Sequence, residues 1–164
     1  GAAGAGDVGE ILLRAPNLMR GYHRSDVPAF DAEGWFHTGD LAVQHADGFF
    51  EVVGRSRELI ISGGENIHPA EIENLVAWMP GVAECAVVGV ADERWGEVPV
   101  LVVVPRPGCS VDEAALRALF DERLARFKHP RRIVQVDALP RTALGKVQRS
   151  VLAGRVGQPA PRQP

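Results

Sequence analysis

The sequence lacks any apolar run near the roughly 18 residues that a membrane-spanning helix requires, so no transmembrane segment is expected. No charged segment followed by an apolar one opens it, so no secretory signal is expected either. Its two cysteines, Cys85 and Cys109, are too few for a disulfide framework, and we expect a reducing, cytoplasmic setting. A net charge of -3 gives no overall attraction to nucleic acid or to an anionic membrane, so partners must be recognised at local sites.

Lysine is also scarce, because Lys128 and Lys146 are the lysines among 18 basic residues. A compact ammonium on a flexible stem reaches geometries that a planar guanidinium does not. Both lysines are therefore candidates for specific chemistry, and the alternative is that each is an ordinary surface residue.

The first 54 residues are predicted to be mostly β-structure. Residues 10–14 alternate as a strand does, and Pro16 ends it. A β-meander is predicted next. Its parts are a strand at Trp35 and Phe36, a turn at 38–40, a strand over 41–44, a hairpin turn at 46–48 and a strand over 49–53.

From Arg55 onward the pattern predicts a small αβ module of order β-α-β-β-α-β. Strands are predicted over 58–62, 83–91, 98–105 and 131–138, with a loop at 63–66 and helices over 68–79 and 110–127. Ser110 is the expected N-cap of the second helix, with Glu113 completing a capping box. Residues 154–164 are predicted to form a disordered tail.

Four stretches offer local chemistry, and each also has a purely structural interpretation. Thr38-Gly39-Asp40 is either a turn or a rigid carboxylate for a ribose diol. Gly63-Gly64 either turns the chain or lets backbone approach a ligand. Trp95 either anchors a loop or stacks on a base. The Arg126–Arg132 stretch is either a solvated helix end or a phosphate and adenine patch.

Two further motifs are largely excluded on local grounds. His68 with Glu71 and Glu73 resembles a metal cluster, but helix capping and the helix dipole explain these residues better. Gly145-Lys146 is followed by Val147 and lacks the earlier glycine of a Walker loop, so it is not one.

Taken together, the motifs resemble the C-terminal part of the adenylate-forming superfamily of acyl-CoA synthetases, adenylation domains and luciferases. The matching stretches are "GEILLRAPNLMRGY", "GWFHTGD", "GRSRELIISGGENIHPAEIE", "ERWGE", "RFKHP" and "LPRTALGKVQR". The resemblance covers about residues 7–153, and its wording is most similar to bacterial fatty-acyl or aryl-CoA ligases. The implied fold class is α/β, with an α+β lid that has a small mixed sheet and flanking helices. Residues 1–54 would end a large, here β-rich, N-terminal domain, and residues 55–153 would form the mobile lid.

The resemblance also implies roles for individual residues. Asp40 and Arg55 would bind the ribose of ATP, and Lys146 would be the lysine of the adenylating step. Arg57, where relatives usually carry Asp or Lys, would be the hinge. The implied CoA-binding residues are Gly63, Gly64, Glu65, Trp95, Arg126, Phe127 and Lys128.

The implied activity is an acid–CoA ligase that uses ATP, CoA and a fatty or aromatic carboxylic acid. Mg²⁺ would be bound mainly by residues outside this chain, as would the acyl group, so the 164-residue chain alone is expected to be inactive. Its partner would be the missing large domain, and without that domain the fragment is expected to self-associate. The alternatives are an enzyme that loads an acyl carrier protein and a stand-alone nucleotide-binding or interaction module.

Overall fold

The computed structural model describes residues 3–4, 6–24, 26 and 28–157, and these divide into two compact units. Unit 1 ends at Arg57 and unit 2 begins at Glu58. The secondary structure is predominantly β in unit 1 and mixed in unit 2, as expected for a mixed α/β fold with small sheets.

Unit 1 is built on an antiparallel sheet of order β1-β2-β3. Its strands are β1 (Val8–Leu13), β2 (Phe36–Gln44) and β3 (Phe50–Arg55). The predicted turn at 38–40 is wrong, because these residues lie inside β2. They form a bulge there: Glu10 pairs with Leu41 and Leu12 with His37, so residues 38–40 of β2 lie opposite the single residue Ile11 of β1. Gly39 takes the positive φ of +74° that the bulge requires.

Unit 2 contains a mixed five-stranded sheet in which β6 (Val82–Asp92) and β7 (Gly96–Pro105) form the central hairpin. The strands β4 (Ile60–Ser62) and β5 (Glu65–Ile67) form a second hairpin. A further strand, β8 (Arg132–Gln135), runs parallel to β7, and β4 pairs with β7 at Gly96. Because Glu65 begins a strand, the predicted loop over 63–66 shrinks to the turn at Gly63 and Gly64.

Three helices cover this sheet: α1 (Pro69–Val76), α2 (Glu113–Arg123) and α3 (Arg149–Gly157). Short 3-10 turns lie at Ser56–Glu58 and Arg126–Lys128. The strands β6 and β7 alternate their side chains between two cores. One core holds Val87, Leu101 and Phe120, and the other holds Val88, Val102 and Leu152.

Two predictions about the helices are wrong. The N-cap of α2 is Asp112, whose carboxylate accepts hydrogen bonds from the backbone N–H groups of Ala114 and Ala115, so Ser110 lies outside the helix. Residues 154–157 are helical and not part of a tail, because Leu152 and Val156 of α3 are buried against the second face of the sheet. Residues 158–164 of the predicted tail lie outside the described residues.

Candidate functional site

A cleft of about 370 Å³ lies in unit 2 beside the closed end of the β6–β7 hairpin. Among the residues predicted to bind CoA, five line it: Gly63, Glu65, Trp95, Arg126 and Phe127. Gly64 and Lys128 are not among the lining residues. The cleft also takes in Ser62, Arg117, His129, Pro130 and Arg131.

Trp95 is held in the cleft by the turn between β4 and β5. The Gly63 N–H donates to the Trp95 carbonyl at 2.8 Å, and the Trp95 N–H donates to an Asp92 carboxylate oxygen at 2.9 Å. A Cβ on Gly63 would lie 2.6 Å from Cε3 of the indole, so the ring rests directly on this glycine. The close approach explains why the sequence has glycine at position 63.

Positive charge surrounds the aromatic rings of the cleft. The guanidinium carbons of Arg94 and Arg131 lie 4.8 and 5.6 Å from the centroid of the Trp95 ring. Arg126 is almost fully exposed, and Arg117 is half-exposed beside Glu113. Aromatic faces next to arginines suit a planar base and its phosphates. The sequence had indicated Arg131 as part of a basic patch, but Arg117 was missed because it lies on α2, away from every recognised motif.

Lys128 has a different environment from the cleft residues. Its ammonium donates to both carboxylate oxygens of Glu71, at 2.8 and 2.7 Å, and the side chain is mostly buried. This ion pair joins the 3-10 turn at Arg126–Lys128 to the first turn of α1. One of the two lysines is therefore engaged within the fold.

Lys146 lies in a short turn that its own residues brace. The Thr142 N–H donates to the Lys146 carbonyl at 2.8 Å, the Lys146 N–H donates to the Thr142 hydroxyl at 3.2 Å, and the Gly145 N–H donates to the Thr142 carbonyl at 2.9 Å. Arg141 donates to the Gly145 carbonyl at 2.6 Å and forms an ion pair with Glu84 of β6. The backbone of this turn is thus held by its own hydrogen bonds, and the side chain of Lys146 is exposed.

Arg149 follows the turn and is the most elaborately bound cation described in unit 2. Its Nη1 donates to Glu73 at 2.5 Å and to the Val87 carbonyl at 2.9 Å, and its Nη2 donates to Glu73 at 3.1 Å. Its Nε lies 2.9 Å from Glu58. Burial alone would lower the pKa of Arg149, but the hydrogen bonds and charges of the two glutamates raise it above its ordinary value.

The cleft and the Lys146 turn lie toward opposite ends of the β6–β7 hairpin. Trp95 belongs to the connection that closes the hairpin, whereas the turn is fastened through Arg141 to Glu84, which pairs with Val104 near the open end. Glu84 and Asp92 are eight steps apart along β6, which corresponds to about 26 Å at the usual rise per residue. The two candidate sites of unit 2 are therefore well separated.

In unit 1 the bulge of β2 presents Asp40 beside Arg55. The Arg55 Nε lies 3.0 Å from an Asp40 carboxylate oxygen, and both side chains are partly exposed. The bulge is braced by Glu10, whose carboxylate accepts from the Gly39 N–H at 2.9 Å and lies 2.9 Å from His37 Nδ1. The hydrogen bond to Glu10 raises the pKa of His37 above its ordinary value, and a weaker one to Asp31 adds to the effect.

The described residues contain no group of three or more His, Cys, Asp or Glu side chains that could hold a metal ion. His68 lies at the N-cap of α1, where burial lowers its pKa, and Glu73 binds Arg149. No helix in this part of the chain is long and apolar enough to cross a membrane.

A family model and two curated relatives point to the same class of enzyme. Residues 71–146 match the family described as AMP-binding enzyme C-terminal domain. The chain is 53% identical over 147 residues to the indoleacetate–CoA ligase of Aromatoleum aromaticum, which covers 88% of this chain and 29% of that enzyme. It is 46% identical over 154 residues to a feruloyl-CoA synthase of an Amycolatopsis species, with 93% and 31% covered.

A solved structure gives the same result. The ATP-bound MatB of Rhodopseudomonas palustris superposes with a TM-score of 0.84 at 39% identity, covering 94% of this chain and 31% of that one. The chain thus spans about three-tenths of the length of the relatives it matches. Because the matched family is a C-terminal domain and the aligned relatives are CoA ligases, the chain belongs to the adenylate-forming enzymes and corresponds to their C-terminal part.

Proposed function

We propose that this chain is the C-terminal segment of an acid–CoA ligase. The complete enzyme would join a fatty or aromatic carboxylic acid to AMP, releasing pyrophosphate from ATP. CoA thiol would then displace AMP from the acyl-adenylate to give the thioester. The two named CoA-ligase relatives support an enzyme of this class, and the free cysteines of the described residues agree with a reducing, cytoplasmic setting.

The observation that carries the proposal is the separation of the cleft from the Lys146 turn within one rigid sheet. Adenylation and thioester formation take place at one reaction centre, so Lys146 and the cleft residues must reach that centre one after the other. A unit that carries these two sets of residues at different places along one hairpin presents one at a time, provided that it can turn as a body. Arg57 immediately precedes unit 2, so the proposed hinge lies where such a rotation would begin.

In the first step Lys146 would stabilise the meeting of two anions. The acid carboxylate and the α-phosphate of ATP repel one another, and an ammonium on a flexible stem can contact oxygens of both. The braced turn supplies the fixed base from which the side chain reaches, so its contribution is positioning and charge, with no proton transferred. Asp40, held beside Arg55, would accept hydrogen bonds from the ribose hydroxyls.

In the second step the cleft would hold CoA. Its arginines, Arg117, Arg126 and Arg131, fit the phosphates of the CoA nucleotide, and Trp95 or Phe127 offers a face for the adenine. The turn at Gly63 and Gly64, bordered by Glu65, would guide the pantetheine arm. Lys128 would support this surface through its ion pair with Glu71.

Mg²⁺ does not enter the steps assigned to this chain. We propose that the ion is bound mainly by residues elsewhere in the complete enzyme.

Acceptor use tests the function directly in the complete enzyme. We expect Trp95→Ala to raise KM for CoA about tenfold while leaving acid-dependent ATP–pyrophosphate exchange unchanged, since loss of one stacking contact costs about 1–3 kcal/mol. Trp78→Ala, a change at an exposed aromatic of unit 2 that does not line the cleft, is the matched control. Faster turnover with an acyl carrier protein than with CoA would favour the carrier-loading alternative.

The 164-residue chain by itself is proposed to be inactive and prone to self-association. Unit 1 exposes Phe49, Phe50 and Val52 by 60% or more, and a second cleft of about 760 Å³ lies along β1. Acid-dependent ATP–pyrophosphate exchange above background with this chain alone would refute the first part. A monomer at every concentration in sedimentation would refute the second.

A further inference from the structure

We propose that Arg149 is a positioning residue that fixes the Lys146 turn to the first residue of unit 2. The guanidinium contacts Glu58 at the start of unit 2, Glu73 in α1 and the Val87 carbonyl in β6. Arg149 begins α3 only three positions after Lys146. One side chain thus links the start of unit 2 to the residue assigned to the adenylating step.

The contacts of Arg149 are those of a bound group and not of a solvated surface charge. Three of the five N–H groups that arginine carries donate to Glu73 and to the Val87 carbonyl, and Nε lies 2.9 Å from the Glu58 carboxylate. Glu73 also accepts from the Val87 N–H at 2.6 Å, so its carboxylate is fixed independently of Arg149. Arg149 and Glu73 are about three-quarters or more buried, which strengthens their attraction relative to an exposed pair.

Through Glu58, this cluster links the proposed hinge at Arg57 to the Lys146 turn. Glu58 is the residue next to Arg57, where unit 2 begins. If the backbone turns at Arg57, Glu58 moves with unit 2, and its ion pair requires Arg149 and the attached turn to move with it. A second ion pair, between Arg141 and Glu84, attaches the residue before the turn to β6. The Lys146 turn and the sheet of unit 2 therefore move together as one rigid body.

Hydrogen exchange of the 164-residue chain tests this positioning without any enzymatic activity. In Arg149→Lys we expect the amides of Thr142 and Gln148, which donate within the turn, to exchange on the order of tenfold faster. Amides of the β6–β7 core, such as Leu101, are expected to keep their rates. Arg155→Lys, a change at an exposed arginine of the same helix, is the matched control.

Glu58→Gln provides a second variant that leaves the Arg149–Glu73 pair in place. We expect a smaller acceleration at the same two amides and an unchanged core. Unchanged exchange at Thr142 and Gln148 in both variants overturns the inference. Acceleration in parallel with Leu101 also overturns it, because that result describes general destabilisation.

The catalytic consequence rests on the proposed function and is measured separately, in the complete enzyme. We expect Arg149→Lys to lower kcat of adenylation about tenfold, by misplacing Lys146, with KM for ATP and thioester formation from supplied acyl-adenylate unchanged. Faster exchange in the turn together with an enzyme that never adenylates supports the positioning and refutes the proposed function. An adenylating enzyme with unaltered kcat in Arg149→Lys overturns the catalytic part of the inference.

Discussion

Replacing Gly63 by alanine is expected to destabilise unit 2 more than the same replacement at the adjacent Gly64. Both glycines have positive φ, +60° and +88°, so alanine is strained at either position by roughly 1–2 kcal/mol. The two sites differ in what the new methyl group meets. At Gly63 it would lie 2.6 Å from Cε3 and 2.9 Å from Cζ3 of Trp95, whereas at Gly64 nothing lies within 4 Å.

The clash at Gly63 must be relieved by moving the indole or by opening the β4–β5 turn. Overpacking of this kind costs roughly 1–3 kcal/mol. The total expected for Gly63→Ala is therefore roughly 2–5 kcal/mol, against roughly 1–2 kcal/mol for Gly64→Ala.

Urea unfolding followed by the helical signal in far-ultraviolet circular dichroism measures these free energies, because the α-helices of the described chain all lie in unit 2. A double-mutant cycle isolates the contact. In a Trp95→Ala background, Gly63→Ala is expected to cost no more than Gly64→Ala, which gives a coupling of roughly 1–3 kcal/mol. Equal costs for the two glycines in the parent chain would refute the assigned contact between Gly63 and the ring.

Three further predictions concern the rest of the chain. Alkylation of the folded protein at mildly alkaline pH is expected at Cys109, which is exposed, and not at Cys85, since burial raises the pKa of that thiol to about 11; labelling of Cys85 at an equal rate would contradict this. Asp112→Ala is expected to cost about 1 kcal/mol in unfolding free energy and Ser110→Ala almost nothing, and the reverse order would restore the capping box. NMR titration is expected to give His37 a pKa above about 6.5, so its contribution to stability is present in acid and is lost as pH rises through the raised pKa; a value at or below 6.5 would contradict the carboxylate contacts.

Some of the architecture could be predicted from the sequence because its causes are local. The apolar runs of β6 and β7 predict strands buried on both faces, and the structure confirms them. The bulge in β2 and the strand β5 could not be predicted in this way. A glycine-containing segment is compatible with a turn and with a bulged strand, and only pairing with a neighbouring strand determines which of the two forms.

The helix α3 was missed because its local signals are weak. It carries Gly154 and Gly157, has no acidic residue in its first turn, and owes its stability to burial of Leu152 and Val156.

The candidate site was only partly predictable for a related reason. Motifs made Trp95, Phe127 and Lys146 candidates, because these residues lie in recognisable local patterns. The partners of Arg149 could not be identified, because Glu73 is 76 residues away and one sequence contains no information on which charges meet.

The central claim is that Lys146 serves the adenylating step and not the thioester-forming step. It is tested most directly in the complete enzyme by measuring both half-reactions of Lys146→Ala. We expect acid-dependent ATP–pyrophosphate exchange to fall about 10²–10³-fold, the usual cost of removing one electrostatic stabiliser, while thioester formation from supplied acyl-adenylate and CoA continues at the parental rate. An equal fall in the two half-reactions would contradict the claim.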